Sequence, residues 1–223
     1  MSEPRALVTG GTGRVGRAIA ARLEEDGFRV VRAGRANGDI SSAEGARGLV
    51  ADTVSELGGL DLLVNAAADG FEPRQVEDVD EDQWDAAFGA IAKGSFFVTQ
   101  AAAPHLRKSA RGLVVMIEDV AAYQPWPSFA AHCAAKAAQA MLTKVFARAL
   151  APEIRVCGVA PGTVAVDEQQ VERRAAETLL GRIGSPDDVA DAVVYLAGAD
   201  FVTGATLVVD GGRLLQSAPV MKP

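Results

Sequence analysis

The run Gly11-Thr12-Gly13-Arg14-Val15-Gly16 has the form G-x-G-x-x-G. It follows an apolar, strand-like stretch, RALVT at 5–9, and opens a helix-like stretch at 14–26 that ends at Gly27. In that setting the glycines allow a tight turn and close approach of a pyrophosphate, and the helix N-terminus attracts the anion. A dinucleotide is therefore expected against Gly10, Thr12, Arg14, Val15 and Gly16. Sites for a dinucleotide with a free ribose 2′-hydroxyl usually carry an acid about 20 residues on. Here the second strand ends Arg32-Ala33-Gly34-Arg35, and no acid appears until Asp39. Arginine pairs with a 2′-phosphate in bidentate fashion, whereas a carboxylate would repel it. Arg35, helped by Arg14, thus points to NADPH; the alternative is that both are solvated surface arginines. A second pair, His132 and Lys136, lies four residues apart and so on one face of a helix. An imidazole, with an unperturbed pKa of about 6.5, can give or take a proton near neutrality.

These groups need a scaffold, and the apolar pattern supplies one. Strands are expected at 5–9, 28–32, 60–64, 113–117, 154–159 and 206–210. Helices are expected at 14–26, 43–57, 81–106, 128–150, 167–180 and 186–198, with a clipped turn over 33–42. Apolar strands alternating with helices imply an α/β fold, a doubly wound parallel sheet buried on both faces. No linker, repeat or low-complexity tract divides the chain, so residues 1–223 are read as one domain. A net charge of −7 argues against a nucleic-acid partner. No apolar run reaches 18 residues, so no membrane partner is expected, and MSEPRALVTG lacks a signal peptide's apolar stretch, which makes a cytoplasmic location the expectation. With two cysteines, Cys133 and Cys157, two histidines and no C-x-x-C, no structural metal is expected.

Extended by two residues, the loop reads Thr9-Gly10-Gly11-Thr12-Gly13-Arg14-Val15-Gly16. It resembles the T-G-x-x-x-G-x-G of short-chain dehydrogenases/reductases, with Arg14 at the middle glycine as in the NADPH-using pteridine reductases. The resemblance extends over nearly the whole chain. Asp39-Ile40 matches the pair that contacts adenine, Asn65-Ala66-Ala67-Ala68 matches N-N-A-G, and Pro161-Gly162-Thr163 matches the P-G motif near the cofactor. The resemblance implies a Rossmann-type sheet of about seven strands, with Lys136 on the nicotinamide ribose. It also implies a homodimer or homotetramer built on the Ala-rich helices 81–106 and 128–150.

The family's usual Asn, Ser, Tyr and Lys survive only as Lys136. His132 stands at the Tyr position, Asp119 at the Ser position thirteen residues earlier, and Ile91 at the helix Asn position. An aspartate at the Ser position, followed six residues on by Pro125, is similar to the pteridine reductases. Phe71-Glu72-Pro73 resembles the segment whose Phe stacks on the pterin ring, allowing one inserted residue. The change of Tyr to His fits neither pattern.

The expected function is an NADPH-dependent reductase that delivers hydride to a C=N or C=O bond of a planar or cyclic small molecule. Asp119 would orient or charge His132, His132 would handle the substrate proton, and Lys136 would position the nicotinamide. Phe71 is expected to meet the substrate; Trp126 and Phe129 either line its pocket or belong to the core. Two other readings stay open: a non-redox cyclase, dehydratase or isomerase, and a catalytically silent nucleotide-binding protein. Segments 33–42 and 164–180 are short for the family, which would leave the pocket open.

Overall fold

A computed structural model describes residues 3–164 and 168–216. Six strands, β1 (Arg5–Thr9), β2 (Arg29–Ala33), β3 (Leu62–Asn65), β4 (Leu113–Ile117), β5 (Arg155–Pro161) and β6 (Thr206–Val209), form one parallel sheet in the order β2-β1-β3-β4-β5-β6. The connecting helices are α1 (Arg14–Glu25), α2 (Ala43–Leu57), α3 (Glu81–Phe88), α4 (Gly94–Leu106), α5 (Ala130–Leu150), α6 (Glu168–Ala175) and α7 (Pro186–Gly198).

Successive strand residues point to opposite faces, and both faces are covered. Leu7, Leu63, Val114, Met116 and Val156 pack under α2, α4 and α5. Ala6, Val8, Leu62, Val64, Val115, Cys157 and Val159 pack under α1 and α7. The central strands therefore read as unbroken apolar runs, as expected of a doubly wound sheet. The family's implied seventh strand is absent among the described residues. The stretch from Gly34 to Ser42 holds only a single 3-10 turn, Arg35–Asn37, before α2 begins. Nine residues cannot supply a helix and a returning strand, so β2 becomes the sheet edge.

Several boundaries follow local chemistry. Ser42 caps α2 by accepting from the Gly45 amide at 3.0 Å. A Ser185–Asp188 capping box with Pro186 in the first turn starts α7. The helix expected over 81–106 is instead α3 and α4 joined by a π-helical turn, Gly89–Lys93. Glycines at both ends of that turn weaken the helix locally. Gly94 also makes room for a neighbour, since a Cβ there would stand 3.1 Å from Ile40 Cδ1. Of the expected helix 167–180, Glu168–Ala175 is helical and 176–180 is turn, while residue 167 lies outside the described residues.

Candidate active site

The chain passes from β1 out to β2 and then back across to β3, so the carboxyl ends of β1 and β3 diverge. Parallel α/β sheets bind ligands at such a reversal. A cleft of about 900 Å³ opens there, lined by Gly10, Thr12, Arg14, Val15, Gly16, Arg35, Asp39, Ile40, Ala66 and Ala67 among others. These are the residues expected to meet a dinucleotide, apart from Asn65, Lys136 and the Pro161-Gly162-Thr163 segment.

The glycines of the loop are there for closeness. Gly10 has φ +65°, and a Cβ on it would lie 2.6 Å from the Ala66 carbonyl oxygen. A Cβ on Gly16 would lie 2.2 Å from the Gly10 carbonyl oxygen. The residue before α1 is Gly13, which gives that helix no side-chain cap, so its first amide groups are open to an anion. The cradle fits a pyrophosphate, and Asp39 and Ile40 stand in the same cleft for the adenosine end. Asp39 is itself held by the Ser41 hydroxyl and then by the Ser41 amide, which together lower its pKa from the ordinary carboxylate range.

The cations at the mouth are partly engaged. Arg35 extends into solvent, its side chain 87% exposed, and pairs at 2.8 Å with Asp69 from the segment after β3. Asp69 also lines the cleft. Arg32 turns to Glu24 on α1 and does not line the cleft.

Asn65 lies beneath the cleft. It is buried, and its amide donates to Thr99 Oγ1 at 3.0 Å, tying the end of β3 to α4. Its place is beneath the Ala66–Ala67 wall, not on the cleft surface.

Further along the carboxyl edge of the sheet, the end of β4 faces the start of α5. His132 Nε2 stands 3.3 Å from Asp119 Oδ2. The other Asp119 oxygen accepts from the Ala121 amide at 2.8 Å and caps a 3-10 turn, so the aspartate is both a turn residue and the histidine's partner. His132 is 4% exposed, and its Nδ1 is buried without a hydrogen-bond partner among the described residues. Phe71 packs its ring edge-on against His132, centroids 4.7 Å apart, and stacks on Phe129 at 4.5 Å. Trp126 meets Phe129 edge-on at 6.1 Å. Phe71, Phe129 and Trp126 thus form one aromatic wall over His132. Cys133, on the next position of α5, points its thiol at the Trp126 carbonyl, and burial pushes its pKa up.

Lys136 is buried on the same face of α5 as His132, as their spacing requires. Its Nζ donates to the Ile117 carbonyl at 2.7 Å and to Gln139 Oε1 at 3.0 Å. Burial pulls its pKa down to about 8, against the opposing fields of Asp119 and Glu118. Ile91, at the family's Asn position, is wholly buried in the π-helical turn beside Ala131 and Ala135 of α5.

Glu118 was not singled out in the sequence, although a charged residue directly after the apolar run LVVMI is a signal. It is 2% exposed. Its carboxylate accepts from Thr143 at 2.6 Å, Tyr123 at 2.7 Å and Thr206 at 3.2 Å. Gly158 leaves the space for it, since a Cβ there would lie 2.2 Å from Glu118 Oε1. Burial, chiefly, raises the Tyr123 hydroxyl to a pKa of about 12. Arg213 was also missed. It follows Gly211-Gly212 and reaches back over Trp126, its guanidinium 5.0 Å from the ring centroid. Thr163 is engaged by that same Arg213.

Residues 13–213 match the model of the family described as Enoyl-(Acyl carrier protein) reductase. Dehydrogenase/reductase SDR family member 4 of Homo sapiens is 34% identical, over 93% of this chain and 86% of its own length. The ligand-free aldohexose dehydrogenase of Thermoplasma acidophilum superposes with a TM-score of 0.91 at 26% identity, over 99% of this chain and 97% of that one. The 3-ketoacyl-(acyl-carrier-protein) reductase of Brucella melitensis, complexed with NADH, does so with a TM-score of 0.88 at 27% identity, over 95% and 98%.

Proposed function

The chain is an oxidoreductase of the short-chain dehydrogenase/reductase family, and from that premise we propose that it is an NADPH-dependent reductase of C=O or C=N bonds in planar or cyclic small molecules. The observation that carries the reading is the Asp119–His132 contact at 3.3 Å with the second ring nitrogen left unpaired under an aromatic wall. A buried polar atom without a partner calls for an explanation, and a reacting group is one.

NADPH, when bound, supplies the hydride. The protein's own part is to bind, orient and move one proton. The Gly10–Gly16 loop and the start of α1 would hold the pyrophosphate, Asp39-Ile40 the adenine, and Arg14 and Arg35 the 2′-phosphate. The NADH held by the Brucella reductase of the same fold supports a nicotinamide dinucleotide in this cleft. Lys136 would reach the nicotinamide ribose after exchanging one of its two buried partners, and Pro161-Gly162-Thr163 would border that end. Asp119 accepts from His132 Nε2 and fixes the ring, so Nδ1 is the nitrogen that would meet the substrate. A carbonyl oxygen or imine nitrogen that gains negative charge takes the proton from Nδ1 of the imidazolium, and solvent returns it. Phe71, half exposed and stacked on Phe129, offers an aromatic ring on which a planar substrate can pack. A pterin-like heteroaromatic falls within this class on the strength of Arg14, Asp119 and Phe71. Assembly into a homodimer or homotetramer is supported by Met141 and Val145, which α5 leaves exposed.

The test is product analysis with NADPH deuterated at the transferable position, run over a panel of aryl ketones, aldehydes and cyclic imines. Label in product, with turnover falling about 10²–10⁴-fold in His132→Ala and NADPH affinity unchanged, is the expected result. Full activity in His132→Ala would remove the proton relay. Product formed without label would favour a non-redox reaction at the same acid–base pair.

A further inference from the structure

We propose that Arg213 and Arg174 form an anion site at the far end of the aromatic wall, and that the substrate is a planar molecule carrying a carboxylate. The inference rests on the reductase reading for the word substrate, but the site itself stands on separate residues.

Four segments converge there, all beyond the carboxyl ends of β4, β5 and β6. Trp126 comes from the loop after β4, Thr163 follows β5, Arg174 and Glu177 belong to α6 and the turn after it, and Arg213 follows β6. The Arg213 side chain is only 11% exposed. One face of its guanidinium rests on the Trp126 ring at 5.0 Å, one nitrogen donates to Thr163 Oγ1, and another stands 3.1 Å from Glu177 Oε2. Arg174 Nη1 lies 3.1 Å from both oxygens of the same Glu177. Two guanidinium groups therefore share one carboxylate. The nearby Asp210 carboxylate is taken up by the amides of Gly212 and Leu214, at 2.8 Å each. Asp210 makes no ion pair with either guanidinium among the described residues, so Glu177 is the one carboxylate that both arginines contact there. Arg174 Nε is also buried with no hydrogen-bond partner among the described residues. A guanidinium has five donors in a fixed fork, and the contacts of Arg213 among the described residues leave several unused. Two guanidinium groups on one carboxylate, unused donors and a buried orphan N–H together ask for an anion.

The position says whose anion. The ring series runs from His132 through Phe71 and Phe129 to Trp126, and Arg213 closes it. A flat molecule lying on that wall with its carbonyl at His132 points its far end toward Arg213. The phosphates of a dinucleotide belong to the Gly loop on the other side of the sheet's reversal, so they do not account for this cluster.

The experiment compares aldehydes with and without a carboxylate: benzaldehyde against 4-carboxybenzaldehyde, and 4-biphenylcarbaldehyde against its 4′-carboxylate. The two lengths sample a short and a long reach to Arg213. For at least one pair, the carboxylated member should have a kcat/KM about 10- to 100-fold higher, the worth of one charge-assisted hydrogen bond. Arg213→Met should bring that ratio close to one, and Arg213→Lys should retain part of it. The ratio is the readout, because loss of the Thr163 contact would depress both aldehydes alike. Glu177→Gln frees both arginines and should raise affinity for the carboxylated member, the reverse of what a purely structural staple would do. A calorimetric titration with terephthalate and biphenyl-4,4′-dicarboxylate, in the presence of NADP, needs no turnover. If none of the four aldehydes is reduced but a dicarboxylate binds and Arg213→Met abolishes it, the anion site holds and the reductase reading fails. If aldehydes are reduced without preference for the carboxylate and both dicarboxylates bind wild type and Arg213→Met equally, or bind neither, the anion site is overturned and the reductase reading stands.

Discussion

Replacing Arg35 by Ala should cost NADPH more than NADH, by an amount the structure bounds. A charge-assisted contact to a 2′-phosphate contributes about 1.5–3 kcal/mol. Arg35 already pairs with Asp69 at 2.8 Å, and both side chains are well exposed, 87% and 45%. An exposed pair of that kind contributes roughly 0.2–1 kcal/mol, which Arg35 gives up when it turns to the phosphate. The net advantage is then about 0.5–2.8 kcal/mol, a selectivity of roughly 2- to 100-fold. Asp69→Asn removes the competitor and a repelling carboxylate together. It should tighten NADPH by a further factor of about 2–5 and leave NADH nearly unchanged. Because Arg35 is so exposed, the preference should shrink as salt rises. The assay is calorimetry of both cofactors against wild type, Arg35→Ala and Asp69→Asn at low and high ionic strength. Equal dissociation constants in wild type would refute the reasoning. So would an Arg35→Ala variant that loses both cofactors by the same factor.

Other consequences are open to simpler measurements. Phe71→Ala should raise KM for a planar substrate several-fold, since a stacked aromatic pair adds about 0.5–1.5 kcal/mol, while NADPH affinity measured by calorimetry stays put. Lys136 has a folded pKa of about 8, below its ordinary 10.5. The unfolded chain therefore binds more protons between those values, and cofactor-free protein should gain stability as pH rises through that window. Denaturant melts of Lys136→Met should show that slope reduced. Asp188 accepts from Arg182 and from the Ser185 amide, which lowers its pKa below the ordinary carboxylate value of 3.8. Its stabilising effect is thus present at neutral pH and lost as pH falls below that value. Asp188→Ala should cost about 0.5–2 kcal/mol at pH 7, and the gap to wild type should close in acid melts.

What the sequence by itself determined is whatever depends on near neighbours. The Gly10–Gly16 loop could be read because strand, turn and helix are contiguous. The same holds for β4 over 113–117, α2 over 43–57 and α7 over 186–198, each bounded by its own turn or capping residues. The six apolar runs already numbered the strands; the resemblance implied a seventh, and the described residues form six. The spacing of Asp119 and His132 matched a known pattern, so their meeting was expected, but the 3.3 Å contact and the unpaired Nδ1 needed the fold. Tertiary structure alone decided the rest. Asn65 and Asp69 sit four residues apart, yet one turns under the sheet to Thr99 and the other out to Arg35, because the strand ends between them. The π-helical turn at Gly89–Lys93 breaks a stretch whose apolar pattern reads as one helix. Glu118 finds its partners on α5, on β6 and in the loop after β4, and Arg213, after β6, finds Trp126 after β4 and Thr163 after β5. Contacts of that range have no local periodicity to betray them. They exist because a parallel sheet gathers the ends of distant strands along one edge, where side chains far apart in sequence become neighbours.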